Sequence, residues 1–206
     1  MARIEKDFLG EKELPDNAYY GVQTLRGREN FHITGIPMSA EPYFVKAFGY
    51  VKKAAALANR DLGVLDARVA DAIVGACDRL IAGEMCDQFV TDFIQGGAGT
   101  STNMNANEVI ANLALESLGH RKGEYQYVNP NDHVNYGQST NDIYPTAFRL
   151  ALILRLASYM DALRRLQDAF YAKGKAFEKV LKMGRTHLQD AVPMSLGQEF
   201  HGWGTT

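Results

Sequence analysis

A long helical pattern of apolar residues runs from Ile143 to Phe170 and constrains the fold more than any other part of the sequence. The apolar positions are Ile143, Ala147, Leu150, Leu154, Ala157, Leu163, Leu166 and Phe170. Their helical spacing is that of a helix with one apolar face. A helix of this length is typical of a bundle rather than of a compact small domain. The sequence therefore predicts that at least part of the chain belongs to a helix bundle.

Shorter elements precede the long helix. Weak alternation around a central glycine predicts a hairpin within residues 3–14. Residues 21–31 have two glycines and no clear period, which predicts a loop. Helical spacing of apolar residues predicts one helix within residues 39–63 and a second within residues 66–83, the latter capped by an aspartate and ended by a glycine.

Composition excludes several classes of protein. The formal net charge of −2, from 22 basic and 24 acidic residues, gives no basic footprint for nucleic acid or for an anionic membrane. The first residues have no apolar leader, and the most apolar later window, 150–160, is interrupted by Arg155. Cys77 and Cys86 lack any metal-ligand spacing and are interpreted as reduced thiols. These features predict a cytoplasmic protein without a nucleic-acid partner, a membrane span or a metal site.

The stretch from Gln95 to Glu108 joins a glycine-rich loop to a helix start. Its glycines allow the backbone to approach a ligand closely, and the hydroxyls of Thr100 and Ser101 offer neutral hydrogen-bond donors. Three asparagines then enter the helix, although Asn has poor helix propensity. Several local rules that fail at one place are typical of a functional site. No Gly-Lys-Ser/Thr follows, which excludes a Walker loop.

Residues 129–142 form a second polar stretch, with four Asn, two Asp, one Gln, one Ser and one Thr. Such side chains form turns and helix N-caps, which predicts a shaped polar loop. Residues 138–141 stand where the long helix should begin, with Pro145 tolerated in its first turn. Hydroxyls and N–H groups at this point can bind an anion. The alternative is an ordinary N-cap after a solvated loop.

A third polar stretch follows the long helix. Gly184 is predicted to end that helix, and Ser195 with Gln198 is predicted to form a capping box for the next one. Thr186 and His187 lie in the polar loop between them. His187 is either a structural histidine or an acid–base or anion contact, since Thr, Arg and Asp residues are its neighbours.

The three stretches GGAGTSTNMNANEVIAN, PNDHVNYGQSTND and GRTHLQDAVPMSLGQE resemble, in order and spacing, the aspartase and class II fumarase superfamily. The similarity runs through nearly the whole chain. The segments AYYGVQTLR, GTST and QSTND are similar to the aspartase branch, because fumarases usually read GTQS and QSSND. Asn129 departs from the pattern, since members commonly have His before the proline at this point.

The resemblance implies a mainly α fold. It implies a small mixed N-terminal domain over residues 1–140, followed by the first part of a helix-bundle domain over residues 141–206. It also implies a homotetramer whose active sites combine several subunits. The implied reaction is the reversible elimination of ammonia from L-aspartate to give fumarate, through an aci-carboxylate intermediate and without a cofactor.

The resemblance also implies roles for single residues. The implied contacts are Thr100, Ser101, Ser139 and Thr140 for one substrate carboxylate, Asn141 and His187 for the amino-bearing end, and Thr186 for the other carboxylate. His187 is the implied catalytic residue. Asn131 and Asp132 match the region of a second, non-catalytic anion site in the fumarase branch.

The proton-abstracting serine of the family has no match in this sequence. That serine lies in a later loop, roughly Gly-Ser-Ser-x-Met-Pro-x-Lys-x-Asn-Pro, and none of the 206 residues fits it. Three hypotheses stay open. They are an aspartate ammonia-lyase fragment, which the first two stretches favour; a fumarate hydratase fragment; and a non-catalytic anion-binding or assembly piece, consistent with the missing serine. We expect the 206-residue chain to be incomplete and inactive alone.

Overall fold

A computed structural model describes residues 2–206 and divides them into two compact units, one up to Leu154 and one from Arg155 onward. The prediction of a mainly α-helical fold with a small N-terminal hairpin and a long helix is confirmed. None of the helices within residues 2–206 has the length and apolar composition that a membrane span requires. The elements are β1 (Ala2–Asp7), β2 (Gly10–Pro15), α1 (Val22–Asn30), α2 (Pro42–Asp61), α3 (Ala67–Ala82), α4 (Thr100–Ser117), α5 (Thr140–Ala176), β3 (Leu181–Thr186), β4 (Gln189–Ser195) and α6 (Leu196–Thr205).

The first unit begins with the β1–β2 hairpin. The strands pair antiparallel from Ala2 opposite Pro15 to Asp7 opposite Gly10. Gly10 has φ +111°, a left-handed conformation that glycine adopts without a steric penalty. The predicted hairpin is therefore confirmed, with its turn next to the predicted glycine.

The prediction of a loop over residues 21–31 is wrong, because most of this segment forms α1. The N-cap residue of α1 is Gly21, which has no side chain to cap the helix, and α1 has only a weak apolar face. Local sequence therefore gives no sign of it. The helix is stabilised instead by a carboxylate that another part of the chain supplies.

That carboxylate is Glu108 of α4, which is 1% exposed. It accepts hydrogen bonds from the N–H groups of Gly21 at 2.8 Å, Gln23 at 2.9 Å and Thr24 at 3.1 Å. The Thr24 hydroxyl also donates to it. A negative group at this position meets the positive end of the α1 dipole. Burial raises the pKa of Glu108 to about 7, against the opposing effect of these hydrogen bonds.

Glu108→Gln is expected to lower the free energy of unfolding by about 2 kcal/mol, because an amide NH₂ would face the N–H donors of α1. The measurement is urea denaturation, carried out above the pKa of about 7 at which Glu108 titrates. Glu116→Gln is the control, since the Glu116 side chain lies on the surface end of the same helix and accepts from the Tyr19 hydroxyl at 2.8 Å. Equal unfolding midpoints for the two variants would contradict the anchoring role.

Helices α2, α3 and α4 form the core of the first unit. The side chain of Asp66 accepts from the N–H groups at the start of α3, and Gly83 ends the helix with φ +94°, as predicted. Most of α4 is buried, including its asparagines. Among the largest fully buried apolar side chains are Phe48, Phe89, Ile73, Leu80, Ile110 and Leu115.

In the second unit, β3 and β4 form an antiparallel hairpin after α5. The prediction that Gly184 ends the long helix is wrong, because α5 ends at Ala176 and Gly184 lies within β3. The strand register is irregular around it, and a Cβ at this position would lie 3.0 Å from the carbonyl oxygen of Val192. Glycine here permits close approach of two strands.

Helix α6 begins with the predicted capping box, which is confirmed. The Ser195 Oγ accepts from the Gln198 N–H at 3.0 Å, and the Gln198 Oε1 accepts from the Ser195 N–H at 2.9 Å. The ring of Phe200 packs against Phe177 and Trp203, with centroids 5.6 and 5.0 Å apart. These aromatic contacts form a small apolar cluster within the second unit.

Candidate active site

The first two polar stretches share one cavity of about 450 Å³ in the first unit. The glycine-rich loop before α4 forms one wall, and the first turn of α5 forms another. The lining residues are Phe93, Ile94, Gln95, Gly97, Ala98, Gly99, Asn141, Tyr144 and Pro145. Two segments that the sequence marked as unusual are therefore brought together by the fold.

The glycines of this loop have conformations that other residues rarely adopt. Gly97 has φ +70° and Gly99 has φ +93°. Gly99 stands at the N-cap of α4, and a Cβ on it would overlap the ring of Tyr144. The backbone of the loop therefore contacts the first turn of α5 at a distance that only glycine allows.

The first turn of α4 has two accessible hydroxyls and one buried hydroxyl. Thr100 is exposed and Ser101 is half-buried. Thr102 is buried, its N–H donates to the Gln95 Oε1 at 2.8 Å, and its hydroxyl lies 3.2 Å from that of Thr91. Thr102 therefore holds the loop against the helix, while the hydroxyls of Thr100 and Ser101 lie in the first turn of α4.

The start of α5 presents a second pair of hydroxyls. The Ser139 Oγ accepts from the N–H of Asn141 at 3.2 Å and caps the helix. The Thr140 Oγ1 accepts from the Nδ2 of Asn103 at 3.0 Å. An oxygen that already accepts from an amide is left with its own proton to donate. Thr140 is thereby oriented as a donor by a residue of the first polar stretch.

Hydrogen bonds to other segments offset the poor helix propensity of the asparagines in α4. Asn105 accepts from the Val90 N–H at 3.0 Å and donates to the Gln88 carbonyl at 2.9 Å. Two buried amide oxygens, those of Asn103 and Asn107, have no hydrogen-bond partner within residues 2–206. Asn103 is thus a buried polar residue whose donor end alone is used, next to Thr140.

Lys52 of α2 is a residue that the sequence analysis missed. It is 0% exposed, and its Nζ donates to the Asn135 Oδ1 at 2.8 Å and to the Gln138 Oε1 at 3.0 Å. Burial lowers the pKa of Lys52 to about 7. The available signal was a lysine four residues after Phe48 on the apolar face of a predicted helix.

The turn that carries Asn131 and Asp132 is a short π-helix, Pro130–Val134. The side-chain oxygen of Asn129 accepts from the N–H groups of Asn131 at 2.8 Å and of Asp132 at 3.0 Å. The Asn129 N–H in turn donates to the Nδ1 of His133 at 2.9 Å. The first N–H groups of this turn are therefore bonded within the chain, and both Asn131 and Asp132 are exposed.

Thr186 and His187 lie in the second unit, at the tip of the β3–β4 hairpin. Both are exposed. His187 and Leu188 have φ +48° and +61°, which is the pattern of a type I′ turn built without glycine. Positive φ at two such residues stores strain of the kind that collects at functional sites. A cavity of about 740 Å³ in the same unit is lined by other residues, including Tyr171 and His201.

A sequence model of a family described as lyase matches residues 10–206, almost the whole chain. The chain belongs to this lyase family. It is 60% identical over 198 residues to the aspartate ammonia-lyase of Helicobacter pylori, which covers 96% of this chain and 42% of the relative. It is 56% identical over 202 residues to the aspartate ammonia-lyase of Escherichia coli, which covers 98% of this chain and 42% of the relative.

Solved structures of the family have the same fold. A fumarate lyase:delta crystallin from Brucella melitensis superposes with a TM-score of 0.89 and 55% identity, covering 100% of this chain and 48% of that one. A class II fumarase from Schistosoma mansoni superposes with a TM-score of 0.83 and 40% identity, covering 100% and 43%. The chain spans less than half the length of each of these relatives.

Proposed function

We propose that this lyase eliminates ammonia from L-aspartate to give fumarate. The observation that carries the proposal is the cavity that the glycine-rich loop before α4 shares with the first turn of α5. Thr100 directly follows Gly99 and Thr140 directly precedes Asn141, both of which line the cavity, and Asn103 of α4 donates to the Thr140 hydroxyl. The identity of 56–60% to aspartate ammonia-lyases supports this reaction over hydration of fumarate, because the class II fumarase structure is 40% identical.

The chemistry requires donors of this kind. Removal of a proton from the carbon beside a carboxylate builds a second negative charge on that carboxylate, so the site must stabilise a dianion. In our proposal, Thr100 and Ser101 of α4 donate to it, together with Ser139 directly before α5 and Thr140 at its start. Two helix N-termini, each with the positive end of a dipole, add to the same effect.

The remaining proposed contacts hold the other end of the substrate. Asn141 lines the cavity and is proposed to contact the amino group. By the family resemblance, His187 is proposed to contact the amino-bearing end of a bound substrate, and Thr186 its second carboxylate. His187 sits on a strained, exposed turn, which supports a role in ligand contact rather than in folding. The turn that carries Asn131 and Asp132 is proposed as a second anion site. Asn129 occupies the N–H groups of both residues, and a carboxylate only accepts hydrogen bonds, so the side-chain amide of Asn131 is the donor in this proposal.

A homotetramer is proposed as the working assembly. Several large apolar side chains of α5 are exposed, with Ile153 65%, Leu156 50% and Leu166 51% accessible. An apolar surface of this extent marks an interface. We propose that helices of other subunits of the tetramer pack against these exposed side chains of α5.

Substrate choice tests the proposal directly. The protein at its full natural length is expected to form fumarate rapidly from L-aspartate and very slowly from L-malate, because QSTND and GTST belong to the aspartase branch. The measurement is the ultraviolet absorbance of fumarate, with ammonia release as an independent readout. If L-malate is the better substrate, the protein is a fumarase and the proposed function is wrong. If neither reacts while succinate still binds, the non-catalytic hypothesis is correct.

A further inference from the structure

Lys52 is a buried lysine whose amine contacts amide oxygens rather than a carboxylate. No Asp or Glu oxygen of residues 2–206 lies within the 4.0 Å of an ion pair, and the two acceptors of its Nζ are the amide oxygens of Asn135 and Gln138. A buried lysine without a counter-charge reduces stability relative to an apolar residue of similar size. The presence of such a residue therefore points to a role for its hydrogen bonds.

Those hydrogen bonds tie α2 to the loop that precedes α5. The Asn135 Nδ2 donates to the Gln138 carbonyl at 3.0 Å, and the Gln138 Nε2 donates to the Val134 carbonyl at 2.8 Å. Hydrogen bonds therefore hold residues 135–138 together and, through Lys52, connect them to the core. The residues that follow this segment directly are Ser139 and Thr140.

The network extends to the proposed substrate donors. The Asn103 Nδ2 donates to the Asn135 Oδ1 at 3.2 Å and to the Thr140 Oγ1 at 3.0 Å. Lys52 and Asn103 therefore donate to the same oxygen of Asn135. Asn103 also donates to the Thr140 hydroxyl, so the position of its side chain fixes the orientation of that hydroxyl. Displacement of Lys52 would release both the loop and the amide that orients Thr140.

We propose that Lys52 is a positioning residue, which fixes residues 135–140 and so aims the hydroxyls of Ser139 and Thr140 at the substrate carboxylate. This role rests on the proposed function. It does not need the charge, because a neutral amine still has two N–H groups for its two acceptors. The titratable neighbour on α3 is Cys77, whose pKa is raised to about 12 by burial, so it stays a neutral thiol.

Lys52→Met in the protein at its full natural length tests the proposal, because methionine fills the same space without a donor. The inhibition constant of succinate and the KM of L-aspartate are expected to rise about tenfold, the weight of one lost hydrogen bond. Amide hydrogens of residues 135–141 are expected to exchange faster. A purely structural role would instead lower kcat through loss of active protein and leave both constants unchanged.

Two further variants make the test decisive. Lys53→Met is the matched control on the same helix, because Lys53 pairs with Asp78 at the surface and should affect neither constant. Gln138→Leu removes one acceptor of Lys52 while keeping the lysine, and it decides the question if Lys52→Met does not fold. Unchanged succinate affinity and exchange in a folded variant overturn the proposal. A wild-type protein that does not release ammonia overturns the proposed function instead, and the exchange measurement still decides whether Lys52 fixes the loop.

Discussion

On the proposed function, Thr140→Val in the protein at its full natural length is expected to lower kcat/KM for L-aspartate by about 10²–10³-fold, the effect of removing one donor to a developing oxyanion. Valine has nearly the same shape but no hydroxyl. Since the Thr140 oxygen accepts from Asn103 at 3.0 Å, its proton is the part of the group that remains for the substrate. The donor acts most strongly on the dianion, so kcat should fall more than KM rises.

Thr140→Ser is the matched control, because it keeps the hydroxyl and removes one methyl group. It is expected to retain most of the activity, whereas Ser139→Ala should fall between the two. Melting temperatures are expected to fall by only about 2–4 °C, because Thr140→Val leaves the Asn103 amide its second acceptor, Asn135, and Ser139→Ala removes a single helix cap. A Thr140→Val variant with a lower melting temperature and an unchanged kcat/KM would show that the hydroxyl serves the fold alone.

Features set by neighbouring residues were predictable from the sequence. The ends of α3 depend on Asp66 and Gly83, which act within their own helix turn, and both were located correctly. The same holds for the capping box at Ser195 and Gln198. Such signals need no knowledge of the tertiary structure.

Features set by distant residues were not predictable. Helix α1 is anchored by Glu108, which lies 87 positions from Gly21 along the chain. The role of Gly184 depends on the opposite strand, where Val192 approaches it. In both cases the local sequence was compatible with another structure, and a tertiary contact decided between them.

The candidate site divides in the same way. Polar residues in places where apolar ones would fold better drew attention to Thr100, Thr140 and the asparagines of α4. Lys52 gave a weaker signal, a single lysine on the apolar stripe of a predicted helix, and its two acceptors lie in a loop more than 80 residues away along the chain. The shared cavity also depends on the contact between the loop before α4 and the first turns of α5, which no spacing within either segment encodes.

Gly99→Ala is expected to lower the free energy of unfolding by about 3–5 kcal/mol, the largest stability effect that we predict. Two costs combine in it. The φ of +93° is unfavourable for alanine, and the added Cβ overlaps the ring of Tyr144. Because Gly99 lines the cavity between α4 and α5, kcat/KM should fall as well. The measurements are chemical denaturation and the rate of fumarate formation.

Gly97→Ala separates the two costs. Its φ of +70° is also unfavourable, but the nearest side-chain atom to a Cβ there is the Thr100 Oγ1 at 3.6 Å, so only the backbone penalty of about 1–2 kcal/mol remains. A double-mutant cycle of Gly99→Ala with Tyr144→Ala should give a favourable coupling of about 1–3 kcal/mol, since removal of the ring relieves the overlap. Additive effects, or equal losses for the two glycine variants, would mean that the loop moves away from α5 freely. The close contact that shapes the cavity would then have no energetic weight.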